Sequence, residues 1–135
     1  MTYIHKVQYY ETDKMGITHH SNYIRFMEEA RIAFLAQLGW GYDKMEAEGV
    51  ISPVMSVSCD YKKSTTFPDE IAITITVLEV TRLKLRLGYT MQCGDAVVCT
   101  AESAHCFLSP TGRPVSIQKQ FPDFYRTLCD LIPAE

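Results

Sequence analysis

The chain has 135 residues, 47% of them hydrophobic and 21% charged, so it can bury the core of one domain. Its net charge of −3 argues against a nucleic-acid-binding protein, which would carry a basic excess. No apolar run is long enough to span a membrane, and residues 1–13 lack the apolar stretch of a signal peptide. Because the five cysteines include no C-x-x-C spacing, we expect reduced thiols and a cytoplasmic protein.

The first half of the sequence predicts a strand, a turn and a long helix. Residues 3–10 (YIHKVQYY) mix aromatic and β-branched residues, which favours a strand, and Gly16 marks a turn. Residues 22–39 have helical periodicity, and Ser21 or Asn22 is expected to cap the helix start. One face of this helix is apolar and carries Tyr23, Phe26, Met27, Ala30 and Phe34.

After a short helical segment at 42–49, the hydrophobic period changes from 3.6 to 2. Four strands are predicted, at 51–63, 70–80, 83–92 and 96–108. The last twenty residues are expected to include a short helix. Short turns between successive strands imply an antiparallel sheet, and one long amphipathic helix is available to cover its apolar face. The sequence therefore predicts a single α+β domain over residues 1–135, with a long helix packed on a curved antiparallel sheet.

Polar residues concentrate at 9–23 (YYETDKMGITHHSNY), which makes this stretch the candidate site. A metal is not expected there, because the adjacent His19 and His20 would point in different directions and no zinc-binding motif occurs. The chain also lacks a G-x-S-x-G elbow, a cysteine at a helix start and a glycine-rich phosphate loop.

Asp13 lies shortly before the predicted helix and is therefore a candidate reactive group. An ionised carboxylate can attack a carbonyl or deprotonate a water molecule. The helix start near His20 offers unpaired backbone N–H groups and a positive dipole end, which would stabilise an acyl oxygen that gains negative charge. From the spacing alone, Asp13 could equally be an ordinary turn residue.

The pattern Y-E-T-D-x-x-G-I-x-x-H-x-N-Y, followed by M-E-E-A-R, resembles the signature of the hot-dog-fold acyl-CoA thioesterases, in the 4-hydroxybenzoyl-CoA thioesterase and YbgC-like group. The later D-Y-K-K-x-x-x-F-x-D-E and G-R-P-V-x-I segments extend the resemblance over essentially the whole domain. The family fold is a long helix wrapped by an antiparallel sheet. The resemblance also implies homodimers or homotetramers with active sites at subunit interfaces.

The resemblance gives roles to individual residues. Asp13 matches the catalytic carboxylate, and His20 matches the residue whose backbone N–H polarises the thioester carbonyl. Gly16 and Tyr23 match the turn glycine and the helix tyrosine, while His19 falls where relatives carry a pocket-lining aromatic residue. Glu11, in the same motif, is expected to play a supporting role at most.

Basic residues relevant to coenzyme A stand on one predicted strand, where relatives contact the phosphates: Arg82, Lys84 and Arg86. They could instead belong to an ordinary solvated sheet face. Lys62, Lys63 and Arg113 are second candidates. The expected function is hydrolysis of an acyl-CoA, with no cofactor because coenzyme A is part of the substrate. The alternatives are a hot-dog hydratase or dehydratase acting on acyl-thioesters, and a non-catalytic acyl-thioester-binding module; an acyl carrier protein could also replace coenzyme A.

Overall fold

The computed structural model describes residues 1–133, so Ala134 and Glu135 of the predicted domain lie outside the described residues. The strands are β1 (Thr2–Lys6), β2 (Val54–Tyr61), β3 (Glu70–Val80), β4 (Lys84–Cys93) and β5 (Ala96–Cys106). The helices are α1 (Asn22–Gln37), α2 (Tyr42–Ala47), α3 (Ile117–Gln120) and α4 (Pro122–Asp130). Among the described residues, no helix is long and apolar enough to cross a membrane.

The five strands form one antiparallel sheet in the order β1-β3-β4-β5-β2. Register shifts in the β2–β5, β3–β4 and β4–β5 pairs mark irregularities of the kind that increase local twist and help a sheet to curve. The order leaves β1 and β2 at the edges. The predicted α+β architecture, a long helix against a curved antiparallel sheet, is confirmed.

The core lies between α1 and one face of the sheet. The apolar positions predicted for α1 are all buried, and so are the alternating apolar positions of β3 and β4. Phe26, for example, is completely buried and packs against the rings of Tyr23 and His5, with centroid distances of 5.4 and 4.0 Å. Phe124 of α4 also packs into this core, where its ring centroid lies 5.3 Å from that of Trp40. All five cysteines are free thiols, as predicted.

The prediction that the first strand reaches residue 10 is wrong. The strand ends at Lys6, and a 3-10 turn follows at Tyr9–Glu11. This turn forms because the Glu11 carboxylate accepts a hydrogen bond from the backbone N–H of Gln8, 2.7 Å away, in a capping box. Instead of alternating across a sheet, Tyr9 and the following tyrosine are both largely exposed.

Candidate active site

A tight loop presents Asp13. The backbone N–H of Asp13 donates to the carbonyl of Ile17, and the N–H of Gly16 donates to the carbonyl of Asp13, both at 2.9 Å. Gly16 has a φ of +77°, a conformation that a residue with a Cβ rarely adopts. One carboxylate oxygen of Asp13 accepts from the N–H of Met15 at 2.8 Å. Within residues 1–133 the other oxygen has no hydrogen-bond partner, so it is free to react.

The segment after β2 holds this loop against α1. The Thr66 hydroxyl donates to the carbonyl of Gly16 at 2.6 Å, and the N–H of Thr18 donates to the carbonyl of Thr65 at 2.8 Å. The hydroxyl oxygen of Thr65 lies 2.7 Å from that of Thr18 and 2.9 Å from that of Tyr23. Burial raises the pKa of Tyr23, so its hydroxyl stays protonated and can donate a hydrogen bond to Thr65. Tyr23 therefore connects α1 to the loop that carries the carboxylate.

In the described part of the chain, no side chain caps the start of α1 by a hydrogen bond, so the expectation that Ser21 or Asn22 caps it is wrong. The Ser21 hydroxyl instead lies 2.8 Å from Nδ1 of His19, and the Asn22 side-chain amide donates to the carbonyl of Glu11 at 2.9 Å. The backbone N–H of His20 has no hydrogen-bond acceptor within the described residues. A donor is therefore left open beside the positive end of the helix dipole.

The Asp13 side chain and the start of α1 both line one cavity of about 390 Å³. It is lined by Asp13, Met15, Ile17, Thr18, His20, Tyr23 and Tyr61. The structure thus brings Asp13, His20 and Tyr23 together, as the sequence predicts.

Tyr61, at the end of β2, is a cavity residue that the sequence analysis missed. Its hydroxyl donates to the carbonyl of His20 at 3.1 Å. The pKa of Tyr61 is raised to about 12, mainly by partial burial and to a smaller extent by the nearby Cys59 thiol. The hydroxyl therefore stays neutral and can donate. The D-Y-K-K segment that contains it was part of the family signature, but only the pairing of β2 with β5 places the ring beside α1.

Two predicted residues contribute to the loop rather than to the cavity wall. Gly16 supplies the turn, and the His19 ring stacks on the His20 ring with a centroid distance of 4.2 Å. The expectation that the two imidazoles diverge is wrong, because they lie in a turn where no strand alternation separates them. Across residues 1–133, no group of three or more histidine, cysteine or acidic side chains could hold a metal ion.

The predicted basic residues lie at the other end of the sheet, Lys84 and Arg86 at the start of β4 and Arg82 just before it. Tyr61, at the cavity, pairs with Cys99 of β5, and Cys99 pairs with Met91 of β4. Lys84 is also on β4 but precedes Met91 by seven residues. At the rise of a β-strand this separation is roughly 24 Å. Within one copy of the chain, therefore, Arg82, Lys84 and Arg86 are not near the cavity.

A larger groove, of about 490 Å³, lies on the outer face of the sheet. Among residues 1–133, its lining includes two carboxylates, Asp60 and Glu102, but neither a cationic side chain nor a helix N-terminus that could polarise a carbonyl. The smaller cavity at the start of α1 is therefore the candidate active site.

Comparison with known proteins gives a consistent result. Residues 7–126 match the family described as "Thioesterase-like superfamily". An Aquifex aeolicus protein provisionally named an esterase is 37% identical over 87% of this chain and 91% of its own length. A Bacillus subtilis protein provisionally named acyl-CoA thioesterase YneP is 32% identical, over 89% and 88%.

Among solved structures, a DHNA-CoA thioesterase from Staphylococcus aureus superposes with a TM-score of 0.91 at 29% identity, covering 96% of this chain and 88% of that one. The predicted relationship to hot-dog-fold thioesterases is confirmed, while the narrower YbgC-like grouping stays a prediction. The chain belongs to the thioesterase-like superfamily and is a thioester hydrolase with a hot-dog fold.

Proposed function

We propose that the chain hydrolyses acyl-CoA thioesters in the cavity at the start of α1. One observation carries this proposal: Asp13, with an unpartnered carboxylate oxygen, lines the same cavity as His20, whose backbone N–H is unpartnered within residues 1–133. The names of the Bacillus relative and of the Staphylococcus structure support an acyl-CoA as the thioester.

In the proposed mechanism, the thioester carbonyl oxygen accepts a hydrogen bond from the N–H of His20. This donor and the helix dipole stabilise the negative charge of the tetrahedral intermediate, and one such donor contributes about 3 kcal/mol in the transition state. Asp13 either attacks the carbonyl carbon to form an anhydride, which water then hydrolyses, or takes a proton from an attacking water molecule. The C–S bond breaks, coenzyme A leaves as a thiolate, and the acyl group leaves as a carboxylic acid.

The mechanism uses the backbone of His20 and not its imidazole. The ring is exposed and stacked on His19, whereas the peptide that carries the N–H is held by a hydrogen bond from the N–H of Asn22 to the carbonyl of His19 at 3.0 Å. A hydratase or dehydratase would instead need the ring as an acid or base. We therefore expect His20→Ala to keep most of the thiol-releasing activity, measured by steady-state kinetics; complete loss with an intact fold would favour the alternative.

We further propose a homo-oligomer, a dimer or a tetramer, that is joined through β2. Within the described residues, this edge strand leaves one row of backbone groups without a partner strand, and it exposes Val54, Met55, Val57 and Tyr61. Long apolar edges of this kind pair with another strand unless they are protected. Because Tyr61 also lines the cavity, such pairing would place a second copy at the active site.

This arrangement also gives the predicted phosphate-binding residues a role. If two β2 strands pair antiparallel, the Val54 end of one lies beside the Tyr61 end of the other. The basic start of β4 in the second copy, from Arg82 to Arg86, then lies at the same end of the joined sheet as the first copy's cavity. Lys62 and Lys63 follow Tyr61 directly and are exposed, so they offer cations from the same copy. We propose that both groups bind the phosphates of coenzyme A.

Thiol release from a chemically varied panel of aromatic, short-chain and branched acyl-CoAs tests the function. We expect release from at least one of them, and a loss of activity of about a hundredfold or more in Asp13→Asn, which keeps the size of the side chain. Asp130→Asn is the matched control, because Asp130 is an exposed carboxylate on α4, outside the cavity and not on β2. Full activity of Asp13→Asn would overturn the assignment.

A further inference from the structure

A cluster of three ionisable side chains, two of them buried, lies beside the candidate active site and has no part in the mechanism described so far. It joins His5 on β1, Glu11 in the 3-10 turn and Glu29 on α1, and we call these three side chains the clasp. Nε2 of His5 lies 2.8 Å from Oε1 of Glu11, and Nδ1 lies 2.9 Å from Oε1 of Glu29. His5 and Glu11 are only 8% and 6% exposed, so the contact between them is shielded from water, whereas the Glu29 side chain is 37% exposed.

The hydrogen bonds define the charge of the clasp. A neutral imidazole donates through one nitrogen and accepts through the other, whereas an ionised carboxylate only accepts. Both nitrogens of His5 face carboxylate oxygens, which also accept from the backbone N–H of Gln8 and from the hydroxyl of Tyr3. The contacts are therefore satisfied by an imidazolium between two carboxylates. Hydrogen bonds of this charge-assisted kind are the stronger ones in proteins.

The clasp is connected to both halves of the candidate site. The backbone carbonyl of Glu11 accepts hydrogen bonds from the N–H of His19 at 2.8 Å and from the side-chain amide of Asn22 at 2.9 Å. Glu11 thus holds the turn that presents the N–H of His20, and it lies two residues before Asp13. Through Glu29, the same cluster is fixed to the third turn of α1.

We propose that His5 is a positioning residue that sets the distance between the Asp13 carboxylate and the oxyanion site at the start of α1. This inference rests on the proposed function. His5 touches no reacting atom; its imidazolium ties Glu11, and with it both the carboxylate loop and the oxyanion turn, to the helix. Because a displacement of about 1 Å can cost up to about a hundredfold in rate, the bond to Glu11 matters for turnover more than for substrate binding.

Two substitutions that remove the same charge test this proposal. The amide nitrogen of glutamine reaches about as far as Nε2 of histidine, so His5→Gln keeps a donor to Glu11 and loses the bond to Glu29. Asparagine mimics Nδ1, so His5→Asn keeps the donor to Glu29 and loses the bond to Glu11. We expect His5→Asn to lower kcat about tenfold or more with KM changed less than about twofold, and His5→Gln to lower kcat less than about threefold.

Thermal unfolding of both variants separates positioning from general destabilisation. The proposal expects similar Tm values but different kcat values. It is overturned if both variants keep wild-type kcat, or if kcat falls equally in the two in step with Tm.

Nuclear magnetic resonance gives a readout that needs no activity. The amide resonances of His19 and His20 should shift further from their wild-type positions in His5→Asn than in His5→Gln. If the wild type releases no thiol from any acyl-CoA, the proposed function fails while these amide shifts still test the clasp. Equal shifts in the two variants would refute the positioning role.

Discussion

His105 should make the folded chain sensitive to mild acid. The side chain is 1% exposed and lies on β5, where Nε2 is 2.7 Å from the hydroxyl of Ser103. That hydroxyl lies 2.6 Å from the hydroxyl of Tyr89, which accepts from the Arg31 guanidinium at 3.2 Å. Nδ1 of His105 is buried and has no partner among the described residues. Burial, and then the Arg31 charge, lower the pKa of His105 to about 4.

The sign and size of the effect follow from proton linkage. An unfolded histidine has a pKa of about 6.5, so between that value and about 4 the unfolded chain binds the proton that the folded chain excludes. Burying His105 as a neutral ring therefore costs nothing above the pKa of the unfolded state. The free energy of unfolding falls as the pH decreases from that value towards the pKa of the folded state. The full difference corresponds to about 3 kcal/mol, of which about 2 kcal/mol is lost between pH 7 and pH 5.

Urea unfolding at pH 7 and pH 5, at one fixed protein concentration, measures this loss. The comparison protein is His105→Gln, which keeps a polar group near Ser103 but does not titrate. All other ionisable groups are common to both proteins, so their contributions cancel in the difference. We expect the wild type to lose about 2 kcal/mol more than the variant between the two pH values. Equal losses in the two proteins would refute the assignment to His105.

Three further predictions concern the loop, the core and the proposed interface. Gly16→Ala should lower kcat and destabilise the fold by about 1–2 kcal/mol, measured by steady-state kinetics and urea unfolding, because Gly16 has a left-handed conformation. Phe26→Ala should cost about 3–5 kcal/mol of unfolding free energy, since the ring is fully buried; a loss below about 1 kcal/mol would contradict the described packing. Val57→Lys, on the β2 edge, should reduce the oligomer to monomers in sedimentation experiments and abolish thiol release, whereas retained assembly would place the interface elsewhere.

Much of the fold could be predicted because strong periodicity is a local signal. In β4, Leu85, Leu87, Tyr89 and Met91 are buried as their alternation indicates. The end of β1 could not be predicted in the same way. Aromatic residues up to position 10 favour a strand, but the buried Glu11 carboxylate captures the backbone N–H of Gln8 and turns the chain.

The placement of Asp13 and His20 in one cavity could be predicted because they are close in sequence, whereas their roles come from the family resemblance and stay predictions. Tyr61 was missed because it reaches the cavity only through the pairing of β2 with β5. The clasp was missed for a similar reason: His5 and Glu29 are 24 residues apart, and neither stands in a motif that indicates their contact. The placement of Arg86 far from the cavity depends on the direction of β4, which composition does not reveal.

The central claim is that Asp13 performs the chemistry and does not merely shape the loop. The most direct measurement compares two quantities on the same preparation of Asp13→Asn: the rate of thiol release from a good acyl-CoA substrate, and the affinity for a thioether analogue that cannot be hydrolysed. We expect turnover to fall about a hundredfold or more while the Kd of the analogue stays within about threefold of the wild type. Retained turnover, or a parallel loss of turnover and binding, would contradict the claim.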